Sequence, residues 1–149
     1  MGNFVKNGKI FKKISKHNTG TAELFKIITN ALAGSWSASV CPQYIQLFNK
    51  TNNVYTKLLQ SPQRKQSSDV KTVNTLNNKS STLYLEFLIP RTAISNTGVV
   101  NCVRLYSGID DTNTFLASID LSSSNEINLA ENTNANLLIT WTLTIGNAS

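Results

Sequence analysis

Histidine is nearly absent from this 149-residue chain, which has His17 alone, and there are two cysteines, Cys41 and Cys102. One histidine and two lone cysteines do not supply the four nitrogen and sulfur ligands of a tetrahedral zinc site. The cysteines allow one disulfide at most; in a reducing compartment both are expected to be small buried hydrophobes instead. Charged residues make up only 15% of the chain, and eight of them are acids. Asp110-Asp111 with Asp120 suggests a carboxylate pair or a calcium site, but the alternating acids and the glycine of a calcium loop are missing. A turn is the expectation there, since Asp and Asn favour turns by local hydrogen bonding. There is no Gly-rich phosphate loop. Ser122-Ser123-Ser124 forms no nucleophile elbow, and His17 has no carboxylate nearby in sequence to orient it. The chain is therefore expected not to be an enzyme and to hold no metal or cofactor. No apolar run reaches the length of a membrane span, and residues 1–16 lack the continuous apolar stretch of a signal peptide. The expectation is a chain made inside a cell and used there or packaged from there.

What is present is β-strand material. Hydrophobic residues account for 40% of the chain, while Asn, Thr and Ser fill loops and wet sheet faces. The clearest stretch is the last: Leu137, Ile139, Trp141, Leu143 and Ile145 share one face, and Thr140, Thr142 and Thr144 share the other. That alternation is a strand with one buried and one wet side. Gln43–Phe48 and Val54–Leu59 read as strands around the polar turn 49–53. Leu83, Leu85, Phe87 and Ile89 alternate up to Pro90, which ends the strand. Val99, Asn101, Val103 and Leu105 alternate with Val100, Cys102, Arg104 and Tyr106. Phe115, Ala117, Ile119 and Leu121 form a further one-sided strand, and Asn125–Leu129 a short edge. Six or seven strands at this spacing predict one antiparallel β-sandwich.

The start of the chain differs. Residues 1–17 interleave Lys6, Lys9, Lys12, Lys13 and Lys16 with Phe4, Val5, Ile10, Phe11 and Ile14, and contain no acid. They are too poor in apolar residues for a core of their own, so a basic N-terminal arm is expected, held by a neighbouring subunit or along its own domain. Residues 18–149 form the single domain. A helix is predicted over 21–33, with hydroxyl caps at Thr19 and Thr21, Glu23 in the first turn and Gly34 as the stop. Its stripe of Leu24, Ile27, Ile28, Ala31 and Leu32 is expected to plug one face or end of the β-structure. Residues 60–81, with Arg64 and Lys65, read as a long exposed loop that contacts something.

The net charge of +6 is divided unevenly. Residues 1–91 carry thirteen Lys and Arg against three acids, and residues 92–149 carry Arg104 against five acids. Oppositely signed segments suit head-to-tail association of copies, or binding of a polyanion by the basic end. The residues expected at subunit contacts are Phe4, Lys6, Lys9, Ile10, Phe11, Lys12, Lys13, Lys16, Arg64 and Lys65, with Asp110 and Asp111 on the acidic side.

Four segments of the second half together resemble a recurring pattern. They are Val99–Tyr106, Thr114–Ala117, Ile127–Leu129 and Leu138–Ile145. The sequence is similar there to small β-sandwich virion proteins of tailed bacteriophages, of head-accessory, tail-fibre or baseplate type. Those run from a Gly-Leu-Tyr-like strand end, through a Leu-Leu-Ala strand, to a closing Thr-Trp-Thr strand. Here the first element is Val103-Arg104-Leu105-Tyr106, without the glycine. The resemblance implies a jelly-roll-like β-sandwich with one N-terminal helix. It also implies a non-enzymatic structural protein of the virion, made in the host cytoplasm, that associates with itself and with other virion proteins. Two alternatives remain open: a carbohydrate- or receptor-binding module of a fibre, and a nucleic-acid-binding protein using the basic arm.

Overall fold

The computed structural model describes residues 2–6, 9–14, 19–20, 22–35, 42–59, 65–66, 69–75, 80–95, 97–107, 115–131, 134 and 136–146. In chain order the elements begin with β1 (Gly2–Lys6), β2 (Lys9–Ile14), β3 (Thr19–Gly20) and α1 (Ala22–Leu32). Next come β4 (Tyr44–Thr51), β5 (Val54–Lys57), β6 (Lys65–Gln66), β7 (Asp69–Thr75) and β8 (Ser80–Ile89). The chain continues through β9 (Val99–Val100), β10 (Cys102–Tyr106), β11 (Ala117–Asp120), β12 (Ile127–Asn128) and β13 (Asn136–Gly146). For β1, β2, β3 and β6, and for most of β7, the backbone alone is described.

The protein is mainly β, with antiparallel sheets and one helix. The first sheet has the order β2-β1-β13-β8-β7, and the second β3-β11-β10-β4-β5. β6 takes the start of β4 that β5 leaves unpaired, and β12 pairs with β9. The longest ladder joins β13 to β8, from Leu137 opposite Ile89 to Gly146 opposite Ser80. Its alternation sends Leu85, Phe87, Ile89, Leu137, Ile139 and Trp141 into one apolar cluster with Ile45, Leu47, Val103, Leu105, Ala117 and Ile119 of the second sheet. Trp141 is 1% exposed, as its place in the closing strand predicts. Full burial of each such aliphatic side chain is worth about 1.5–3 kcal/mol.

Local signals account for the turns. Asn52 and Asn53 both have positive φ, 51° and 63°, between paired Thr51 and Val54. This is the two-residue hairpin turn whose twist suits its strands, and Asn tolerates it. Gly34, at φ 83°, ends α1: its N–H donates to the Ala31 carbonyl, and the N–H of Ser35 donates to that of Asn30. That pair of bonds is a Schellman stop.

After Pro90 a short 3-10 turn, Arg91–Ala93, carries a buried arginine. The Arg91 guanidinium donates to the carbonyls of Ile94 at 3.2 Å, Ser95 at 2.9 Å and Leu129 at 3.1 Å. Its backbone N–H donates to Asn136 Oδ1 at 2.9 Å. One residue thus ties the end of β8 to the segment after β12 through its side chain, and to the start of β13 through its backbone N–H.

Four expectations are corrected. Residues 60–81 are not one long loop, since β6 and β7 lie within them and β7 pairs with β8 from Asp69 opposite Glu86 to Thr75 opposite Ser80. Val70, Thr72, Val73 and Thr75 are β-branched, and such residues favour strands even when few are apolar. The N-terminal residues do not stand apart as an extended arm: β1 and β2 form a hairpin, and β1 pairs with β13 from Gly2 opposite Ile139 to Val5 opposite Asn136. Without that hairpin, the most apolar strand would present an open edge. The helix stripe is covered at its start only, with Leu24 buried, Ile27 and Ile28 half-buried, and Ala31 and Leu32 exposed. Lastly, the alternation of Val99–Tyr106 slips at Asn101, so that Val100, Val103 and Leu105 all reach the core. Asn101 breaks the phase by bonding the backbone of Lys50, accepting from its N–H at 2.6 Å and donating to its carbonyl at 2.9 Å.

Candidate functional site

Residues that alternate away from the core on the second sheet form a separate cluster. Register places Phe48 opposite Cys102, Gln46 opposite Arg104 and Tyr44 opposite Tyr106. On the other side of β4, Lys50 stands opposite Tyr55. Phe48, Cys102 and Tyr106 are buried together there, with Tyr44, Tyr55 and Phe115 packed against them. Phe115, expected on the core face with Ala117 and Ile119, belongs to this outer cluster instead, because it precedes β11 and escapes that strand's alternation.

At the centre is Arg104. Its Cζ lies 3.9 Å from the Tyr55 ring centroid and 4.0 Å from that of Phe115. Two ring faces thus lie against the same carbon at van der Waals distance. Phe48 approaches the guanidinium at 5.3 Å while meeting Tyr55 edge-on, with 5.9 Å between the ring centroids. Beyond Tyr55, Lys50 Nζ sits 5.5 Å from the same ring and donates to Asp120 Oδ2 at 3.0 Å. The contacts thus link Phe115 to Arg104, Arg104 to Tyr55, Tyr55 to Lys50 and Lys50 to Asp120.

The two cations differ in their partners. Asp120, by hydrogen bond and charge, and Tyr55, by hydrogen bond, raise the Lys50 pKa above its ordinary value. Arg104 has no carboxylate on it among the described residues, and its Nε is buried without an acceptor. Among the described residues, ring faces are what hold this guanidinium. Cys102 lies beneath, with Sγ 3.6 Å from Ser118 Oγ. Burial pushes its thiol pKa up, which keeps it protonated and poorly nucleophilic. It is a free thiol.

The contact residues expected from the sequence fall elsewhere. Phe4 and Lys6 lie in β1, and Lys9, Ile10, Phe11, Lys12 and Lys13 in β2, so one hairpin of the first sheet carries seven of them. Lys65 is in β6, opposite Ile45 in the second sheet. Lys16, Arg64, Asp110 and Asp111 lie outside the described residues. Asp120, one of the five acids of the second half, is engaged within the chain by Lys50. Among the described residues no group of three or more His, Cys, Asp or Glu is placed to hold a metal ion. Sequence reading missed Arg104; the available signal was its position between Cys102 and Tyr106, on the face away from Val103 and Leu105.

No protein-family model matches the chain, and neither a curated protein nor a solved structure is found to match it.

Proposed function

We propose that this chain is a non-enzymatic structural protein of a tailed-bacteriophage virion, made in the host cytoplasm and assembled with copies of itself and with other virion proteins. In this reading the two sheets stack as a jelly-roll-like sandwich. The observation that carries the proposal is the attachment of the N-terminal hairpin. β1 joins β13 through four register pairs at what is otherwise a sheet edge, and strand addition of this kind serves equally well between chains. An isolated two-stranded hairpin is marginal in water, so these residues depend on an edge to dock on. Exchange of the same hairpin between copies conserves every main-chain bond and gives association at little cost. The resemblance of Val99–Tyr106 and the closing Thr-Trp-Thr strand to virion modules supplies the setting. The Arg104 cluster adds an outer face rich in Tyr, Phe and Arg, the residue types that dominate protein contacts.

The experiment is deletion of residues 2–16 in the virus that encodes the chain, with mass spectrometry of purified particles. The truncated protein is expected to fold and to melt within a few degrees of the parent. It should be missing from particles that contain the full chain. Absence of the full chain from particles overturns the virion reading, and unfolding of the truncated chain makes the hairpin part of the core.

A further inference from the structure

We propose that Arg104 is the anchor of a binding site for a carboxylate side chain on a partner protein. The site rests on the assembly reading in one respect, that its ligand belongs to another protein. A half-buried guanidinium is normally matched by an acid, since removing a charge from water is expensive unless it is paired. Here Asp120, an acid of the same sheet, is held by Lys50 at 3.0 Å. The ring faces of Tyr55 and Phe115, 3.9 and 4.0 Å away, lie against Arg104. With Nε buried, what remains for a ligand is the end of the guanidinium, the coplanar N–H donors of Nη1 and Nη2. A carboxylate matches that end with two parallel hydrogen bonds.

The same geometry argues against other ligands. A nucleic-acid base would need a free ring face to stack on, and the faces of Tyr55 and Phe115 nearest the charge are taken by Arg104. A phosphate dianion would call for further cations, whereas the next one along, Lys50, already has its carboxylate. One planar cation with no carboxylate on it among the described residues suits one planar monoanion. The rings fix the side chain before the ligand arrives, so little rotamer entropy is lost on binding.

The test is an NMR titration of the full chain with hexaglutamate, following the Arg104 Nε–H and the Tyr55 and Phe115 ring signals. The expected result is saturable movement of these three, with affinity falling at least tenfold in Arg104→Lys and in Arg104→Gln. Lys26→Gln, an exposed change on α1, should leave the affinity as it was. Arg104→Lys keeps the charge and loses the planar fork, so a tenfold loss there separates paired recognition from diffuse attraction. Equal binding by wild type and Arg104→Lys overturns the proposal. So does equal or tighter binding of inorganic phosphate, or of an oligoglucuronate, the latter moving the carboxylate from a protein to a sugar. No movement of Arg104 with hexaglutamate also overturns it, and leaves untouched the question of whether the chain is found in particles.

Discussion

Arg91 and Arg104 are both drawn out of water, and the protein treats them in opposite ways. Arg91 spends its donors on three main-chain carbonyls from two separated segments. Arg104 has two ring faces against it and no acceptor for its buried Nε among the described residues. The first closes a hydrogen-bond account inside one chain, which makes it a fold element. The second is held in place without being satisfied, which leaves recognition chemistry for something outside the chain. The difference shows that burial of a charge does not by itself indicate its role, whereas the state of its hydrogen bonds does.

The largest expected effect is on the Arg91 side. Arg91→Met leaves the carbonyls of Ile94, Ser95 and Leu129 without their donor, and should cost about 3–5 kcal/mol, as for a broken buried charged network. Denaturant unfolding measures it, and a loss below about 1 kcal/mol would erase the contrast. Trp141→Ala, in the apolar cluster, sets the scale for a core truncation at about 3–5 kcal/mol. Unchanged melting of that variant would defeat the account of the closing strand.

On the other side, Arg104→Met should change stability by no more than about 1 kcal/mol. It loses stacking worth about 0.5–2 kcal/mol and also removes the cost of an unpaired charge. A smaller effect is expected at Cys102. In a Cys41→Ser background its buried thiol should resist maleimide at pH 7.5 and react once the chain is unfolded. Rapid labelling of the native protein would mean that the outer cluster opens. The smallest effect belongs to Lys50 and Asp120, whose ion pair is open to solvent. The Lys50 pKa is raised above 10.5 in the fold, so the pair's contribution is fully present below that pH. It is lost only as pH climbs through the folded value. Asp120→Asn should leave melting unchanged from pH 6 to 9, and a pH-dependent difference in that window would contradict this assignment.

Much of the β-structure was legible in the sequence, for reasons particular to each element. The β13 stretch alternates without a break, and Pro90 and Gly34 stop β8 and α1 where local backbone chemistry demands. β7 was hidden because its strand propensity comes from threonines that also fill loops. The register slip at Asn101 depends on a side chain bonding Lys50, 51 residues away, and no local pattern carries that. The Arg104 cluster was hidden for the same reason. Tyr55, Phe115 and Arg104 come from three segments that only the pairing of β5, β4, β10 and β11 brings together. The hairpin was read as an arm because its own composition cannot build a core, and its partner, β13, lies at the other end of the chain.

The contrast between the two arginines is tested most directly by one paired measurement on Arg104→Met: melting of the purified chain, and its abundance in particles from a virus carrying the change. The account predicts melting within about 2–4 °C of the parent, the shift that about 1 kcal/mol brings in a domain of this size, together with loss of the chain from particles. Unchanged melting with undiminished incorporation would contradict it, because Arg104 would then serve neither the fold nor a partner.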